Sequence, residues 1–262
     1  MPSATEKTAP DIFEPMVEEG GVELERSTGD LILSGLIAGL DIGFGPLAMA
    51  VVAGRLHTLL HLTVMQALFF GGFLYPLGFV FVIAGRSELY TENTLVPLIG
   101  VLSGDGSIRK VARRWSIVLA CNIAGTIVFS VLVSHTAVVF DPYKSVYQTM
   151  GIELTNQPFL QAALAAVFGG WLVALLSWLL SATEGSASHF LLTYVTTYLL
   201  VALALYHCVI GSTEVLLGMF AGAPITWADW LTRFLAPAVL GNTVGAVVFV
   251  TGLKAFQARS AN

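Results

Sequence analysis

The sequence predicts an all-α integral membrane protein: six transmembrane helices in a 3+3 inverted repeat, with the second and fifth helices broken. Three observations carry that prediction. Charge is scarce over most of the chain, six apolar runs are long enough to span hydrocarbon, and two of them end in interruptions that match.

The 262 residues include 12 basic and 17 acidic ones, 11% of the chain, against 56% apolar types. A soluble globular chain carries roughly 25% charged residues. This one has too few to wet a surface, which excludes a soluble enzyme domain, a nucleic-acid binder and a disordered protein. Eight of the acids fall in the first 30 residues (Glu6, Asp11, Glu14, Glu18, Glu19, Glu23, Glu25, Asp30). Residues 1–30 therefore read as an acidic tail, partly disordered, ending in an amphipathic lead-in, with no basic stretch ahead of a short apolar core as a signal peptide has. Cys121 and Cys208 lie inside apolar runs and read as packing rather than as a disulfide.

A helix needs about 20 apolar residues to cross the hydrocarbon. The runs that qualify are Leu31–Gly54, Leu56–Gly85, Trp115–Phe140, Leu154–Thr183, Gly185–Thr213 and Phe234–Gly252. The first holds one charge, Asp41. Asn93–Gly104 and Val215–Ala228 are apolar but too short to cross alone. Each follows a breaking cluster, Gly85-Arg-Ser-Glu88 or Gly211-Ser-Thr-Glu214. Irregular backbone at membrane depth is tolerated only where it is buried or lines a cavity, so the second and fifth crossings are expected to be discontinuous.

The interruptions correspond. Gly85 and Glu88 pair with Gly211 and Glu214 at an offset of 126, and Asn122-Ile-Ala-Gly-Thr-Ile-Val-Phe129 pairs with Asn242-Thr-Val-Gly-Ala-Val-Val-Phe249 at 120. An odd number of crossings per copy sets the copies in opposite orientation, and broken helices in matching places point to a transport site. The expected organisation is a tail over 1–30, a channel domain over 31–256 (repeats about 31–140 and 154–256), and a second tail over 257–262. Lys7, Arg26, Arg109, Lys110, Arg113, Arg114, Lys254 and Arg259 sort to one side, leaving Arg55, Lys144 and Arg233 on the other and Arg86 within the membrane. The bias of positive charge puts both termini in the cytoplasm.

Ionisable residues inside a membrane are functional candidates: Asp41, Arg86, Glu88, Glu92, His189, His207 and Glu214. His207 lies one turn before the second interruption. Imidazole titrates near neutrality, so it can offer charge or a proton to a small anion; the plainer reading is a core histidine bonded to a carbonyl. Thr91 can give its hydroxyl to His207 or to an ion. Arg86, Glu88, Glu92 and Glu214 read as a salt-bridged cluster bracing the broken backbone, with direct substrate contact as the alternative. Asn122 and Asn242, among small residues, suit close helix packing, where their amides cap the interrupted helices or line a pore. Gly39-Leu-Asp-Ile-Gly-Phe-Gly45 reads as a helix-packing surface. His57 and His61 lack a third ligand, so no metal site is assigned, and no cofactor-binding motif is apparent.

These features resemble the formate/nitrite transporter family over nearly the whole chain after residue 30. The matching parts are Leu89-Tyr-Thr91, Cys121-Asn-Ile-Ala-Gly125, Gly241-Asn-Thr-Val-Gly245 and His207. The segments Glu88-Leu-Tyr-Thr-Glu-Asn-Thr-Leu95 and Ile210-Gly-Ser-Thr-Glu-Val-Leu216 resemble a less characterised branch. The resemblance implies a homopentamer of aquaporin-like protomers in a prokaryotic cell membrane, each passing small monovalent anions such as formate, nitrite or hydrosulfide. It places His207 as the central pore histidine, Thr91 as the loop threonine, and Phe79, Leu89 and Leu200 as the apolar constrictions. His189 stands where many members have a lysine, and the extra acids depart from the family pattern. On this reading the anion passes the constriction after protonation at or relayed through His207, with a neutral-solute or water channel as the alternative. The partners are then the anion, protons and the bilayer, and no nucleic acid.

Overall fold

The computed structural model describes residues 7–104 and 106–260. Residues 1–6 of the acidic segment and 261–262 of the C-terminal one lie outside the described residues. Among the described residues every regular element is helical. The chain runs α1 (Ala9–Leu24), α2 (Thr28–Asp41), α3 (Phe44–Leu60), α4 (Val64–Gly71), α5 (Pro76–Ala84), a short turn Glu92–Thr94, α6 (Val96–Leu102), α7 (Ile108–Ser134), α8 (Ala137–Phe140), α9 (Lys144–Thr155), α10 (Phe159–Ala182), α11 (Ser186–Ala202) and α12 (Ile210–Phe220). The last long stretch joins α13 (Trp227–Asp229), a π-helical turn, α14 (Ala236–Val244), a second π segment and α15 (Leu253–Ser260).

Five helical stretches are long and apolar enough to cross a bilayer: Thr28–Leu60, Val64–Ala84, Ile108–Ser134, Phe159–Ala182 and Trp227–Ser260. The fifth apolar run of the sequence is divided between α11 and α12, both shorter. Outward-facing Leu33, Phe69, Leu132, Leu160, Phe168, Leu191 and Leu240 are exposed, the reverse of a water-soluble surface and suited to lipid. Helix starts carry their own caps. Ser27 accepts the Asp30 amide before α2, Thr63 that of Gln66 before α4, and Ser107 that of Lys110 before α7.

The interruptions are built alike, and the backbone sets their register. After α5, Arg86 turns left-handed (φ 57°), and the Ser87 amide reaches back to the Val82 carbonyl at 3.0 Å. After α11, Ala204 does the same (φ 51°), with Leu205 bonding Leu200 at 2.8 Å. That six-to-one bond around a left-handed residue ends a helix sharply. The pattern continues with Asn93 to Leu89 matched by Gly211 to His207, and Ser103 to Ile99 matched by Ala221 to Leu217. Gly104 and Gly222 close both segments with φ 99° and 92°. Every pair is 118 residues apart (86 to 204, 89 to 207, 104 to 222). The sequence pairing of Gly85 and Glu88 with Gly211 and Glu214, at 126, is therefore not the one the backbone makes. Glu88 matches Tyr206, and Glu214 matches Val96.

Two expectations about the basic and acidic segments change. Much of the acidic tail is a packed helix: Ile12, Phe13, Met16 and Leu24 of α1 are buried, and α1 packs on α6 and α15. A Cβ on Gly20 would stand 2.5 Å from the Val96 carbonyl, so only glycine allows that approach. The same crossing joins α9 and α12, where Gly151 meets Gly218; α1 is thus the counterpart of α9. The basic cluster, expected between the second and third apolar runs, begins the helix of the third. Arg109, Lys110, Arg113 and Arg114 form the first turns of α7, and Arg114 is only 2% exposed.

Candidate functional site

Each interruption exposes backbone groups that must find partners, and one buried asparagine serves each. Asn122 accepts the Tyr90 amide and donates to the carbonyls of Gly35 and Glu88, all at 2.8 Å. Asn242 accepts the Cys208 amide and donates to the carbonyls of Ala166 and Tyr206, again at 2.8 Å. Both asparagines are fully buried. They cap the broken helices, and both N–H groups of each amide are engaged, which leaves neither asparagine a donor for an anion. Gly39 and Gly170 lie against the two asparagine carbonyls, where an added Cβ would come within 2.2 and 2.1 Å.

The clamped segments bring Thr91 and His207 together from opposite halves, Thr91 Oγ1 to His207 Nε2 at 2.5 Å. The amides of Val209 and Ile210, at the start of α12, both donate to Nδ1 at 3.3 Å. With Nδ1 an acceptor twice over, the ring is assigned as the neutral tautomer with its proton on Nε2, donated to Thr91. The Thr91 hydroxyl hydrogen is then free to donate onward. Phe79 stands edge-on to the imidazole with ring centres 5.1 Å apart. Phe79, Leu89 and Leu200 are all buried. Tyr90 links the halves a second time, its hydroxyl 2.7 Å from that of Thr243.

Cavities lie at both ends of α5 and α11. One, of ≈ 680 Å³, opens beside α1 and reaches Ile83 and Thr193. The other, of ≈ 530 Å³, opens beside α9 and reaches Tyr75 and Leu200. About 10 Å of helix, at 1.5 Å per residue, separates Thr193 from Leu200 along α11, and on α5 Phe79 lies between Tyr75 of one cavity and Ile83 of the other. Phe79, Leu89 and the Thr91–His207 pair are buried and line neither cavity.

The four charges expected to brace the interruptions do not form one cluster. Glu88 is bound to Arg114 at 2.6 Å and to Arg26, while Glu23 also bonds Arg114. This network ties the first interruption to α1 and α7. Arg86 is exposed and lines the first cavity with half-buried Glu92, without an ion pair between them. Glu214 lies at the other vestibule, where it accepts the Tyr75 hydroxyl at 3.2 Å. His189 lines the first cavity and donates to the Thr183 carbonyl at 3.0 Å.

Sequence reasoning missed Arg114, Glu23, Arg26 and Tyr75 as site residues. The glycine pairs Gly100/Gly104 and Gly218/Gly222, equally spaced at 118, were the legible signal for the true register of the interruptions.

The sequence profile described as formate/nitrite transporter matches residues 10–256. The chain belongs to the formate/nitrite transporter family. Among family relatives, the inner membrane protein YfdC of Escherichia coli (strain K12) is 26% identical over 95% of this chain and 78% of its own length. A probable formate transporter of Methanothermobacter thermautotrophicus is 27% identical over 86% of this chain and 87% of its own. The fold is shared with a solved family ion channel (TM-score 0.81, 22% identity, 95% of this chain and 98% of that one). It is shared as well with a pentameric formate channel solved with formate bound (TM-score 0.72, 20% identity, 87% and 96%). Members of the formate/nitrite transporter family are membrane transporters or channels rather than enzymes, and the apolar helices described above suit that setting.

Proposed function

We propose that this member of the family passes small monovalent weak-acid anions of the formate, nitrite and hydrosulfide class, which cross the Phe79, Leu89 and Leu200 constriction in neutral form. The Thr91–His207 pair carries the reading: it is a buried hydrogen-bond donor placed inside an apolar plug between two vestibules. A bare anion crosses such a plug only against a large desolvation penalty. The Thr91 hydroxyl meets the anion, His207 Nε2–H supports Thr91, and protonation at or by way of this pair completes the neutral acid. His189 receives the anion in the first vestibule. Asn122 and Asn242 fix the pore backbone, while Glu88, held by Arg114 and Arg26, stabilises the first interruption, with Arg86 and Glu92 in the vestibule beside it.

The recurrence of both interruptions at 118 residues supports six crossings in a 3+3 inverted repeat, with α5–α6 and α11–α12 as the broken second and fifth. It also moves the repeats, which then include α1 and α9. The protein on this reading is a homopentamer in a prokaryotic cell membrane with both termini in the cytoplasm. One observation favours a second function, a channel for neutral solutes or water: both vestibules carry acids, Glu19, Glu23, Glu88 and Glu92 in one and Glu153 and Glu214 in the other.

Purified protein in liposomes separates the two. Uptake of formate, nitrite, hydrosulfide and acetate that rises as pH falls, and is lost in His207→Phe, is expected. Normal uptake in that variant removes the role of His207. Swelling with urea or glycerol in the absence of any weak-acid flux establishes the second function instead.

A further inference from the structure

The vestibule beside α9 holds a carboxyl group with no basic partner. Glu214 is 8% exposed; one oxygen accepts the Tyr75 hydroxyl at 3.2 Å, and the other takes no hydrogen bond from any described residue. Among the described residues, the titratable groups lining this cavity are Tyr75, Glu153, Tyr206 and Glu214, with no Lys, Arg or His. No described basic group on the elements packed against α12 is bonded to Glu214. Lys144 bonds Asp141 at 2.7 Å, Arg233 bonds Asp229 at 3.1 Å, Arg55 bonds the Tyr143 hydroxyl at 3.3 Å, and His57 bonds the Leu62 carbonyl at 2.6 Å. Lys110, Arg113 and Arg114 bond Glu25, Thr28 and Glu88, and Arg109 is exposed in the first turn of α7. Glu153 of α9 shares the cavity. The repeat-equivalent residue is Val96, which lines the other cavity, so packing at this place does not call for an acid. An isolated buried carboxylate is unfavourable until a proton or a cation joins it.

We propose that Glu214 is the proton donor of this vestibule, protonating the weak-acid anion at the mouth of the Phe79–Leu200 constriction. The inference rests on the weak-acid reading above. His207 is ill placed to release a proton of its own: Nδ1 is held by two amides, and loss of the Nε2 proton would leave an imidazolate. In the transfer, the O–H bond of the Glu214 carboxylic acid breaks and an O–H or S–H bond forms on the anion. The neutral acid enters the constriction, and the carboxylate, steadied by the Tyr75 hydroxyl, takes a proton from cavity water.

The test compares wild type and Glu214→Gln in liposomes holding a pH-sensitive dye, with formate uptake measured from about pH 5 to about pH 8. Without a local donor, uptake follows the free acid in bulk and falls about tenfold per pH unit. Wild type is expected to fall less steeply. The deficit of the variant should then grow from under about twofold at pH 5 to about tenfold or more near pH 7.5. Superimposable profiles, or a deficit equal at every pH, overturn the proposal. Infrared difference spectra between acid and neutral pH of the wild type should show the C=O band of a protonated carboxyl, shifted in Tyr75→Phe and absent in Glu214→Gln. Absence of the Tyr75-sensitive band from wild type overturns the proposal even where Glu214→Gln does not assemble. Wild type that carries no weak acid at all defeats the underlying reading as well, whereas a failure confined to the Glu214 comparisons leaves that reading standing.

Discussion

Leu89 and His207 occupy the same place in the two interruptions: each directly precedes the amide that a buried asparagine accepts, and each carbonyl is bonded at 3.0 Å by the amide four residues on. The backbone repeats, and the chemistry does not. One half carries a buried isobutyl group at this place and the other a buried imidazole.

That asymmetry gives the first prediction. Leu89→Ala should widen the plug, so that acetate flux rises relative to formate, at a stability cost of about 2–5 kcal/mol for the lost packing. His207→Leu, which makes the two places alike, should abolish weak-acid flux. Unchanged selectivity in Leu89→Ala would remove Leu89 from the constriction.

The asparagine clamps should be equivalent in energy. Asn122→Ala and Asn242→Ala each delete three buried hydrogen bonds of 2.8 Å and leave one amide and one carbonyl of the interruption unpaired, Tyr90 and Glu88 or Cys208 and Tyr206. Each lost pairing carries a penalty of about 1–3 kcal/mol. Both variants should therefore lose thermal stability by similar amounts in detergent, and neither should retain flux. A marked difference between them would show that the two interruptions are not braced alike.

The Arg114 network makes a prediction about charge. Arg114→Met leaves Glu88 and Glu23 without their shared partner, and removal of one member of a buried ion pair destabilises by about 3–5 kcal/mol. The triple variant Glu23→Gln, Glu88→Gln, Arg114→Met should recover much of that loss, as a thermal melt of all three forms will show. No recovery would mean that Arg114 acts through packing alone.

Docking of α1 should depend on pH. Burial raises the Glu19 carboxyl above its ordinary value, with Glu23 adding to the rise and Arg86 opposing it. The docked helix thus holds the proton more tightly than a free one. Its contribution is complete below the free-helix pKa and is lost as pH rises through the docked value. Protection of the α1 amides, taken relative to their intrinsic exchange rate at each pH, should be greater in mild acid than at neutral pH, and Glu19→Gln should flatten that dependence. Lower protection in acid would reverse the sign.

The helical class, the place of the first interruption and the asparagine helices were legible because membrane burial writes itself into composition, and Asn122 and Asn242 share a Gly, a Val and a Phe at matching positions after them. The second interruption lies at 203–209, ahead of the Gly211-Ser-Thr-Glu214 cluster expected to make it, which is helical within α12. Thr91 and His207 were legible as chemistry, and the structure brings them to 2.5 Å. The register of the interruptions was not, because left-handed Arg86 and Ala204 share a conformation and no side-chain property. The seat of α1 was hidden for another reason. Its acids suggest solvent, yet Ile12, Phe13 and Met16 between them are buried, and the partner surface lies about eighty residues away on α6.

That seat bears on the order of assembly. Helix α1 closes against Gly100 on α6 and against α15, which begins at Leu253. Contacts between such distant parts of a chain form late, since the loop between them must close first. Until the ribosome has made α15, about 230 residues further on, α1 has only part of its binding surface, and its buried face stays available to chaperones and proteases. Helix α1 therefore settles long after its own synthesis, when both of its partners exist.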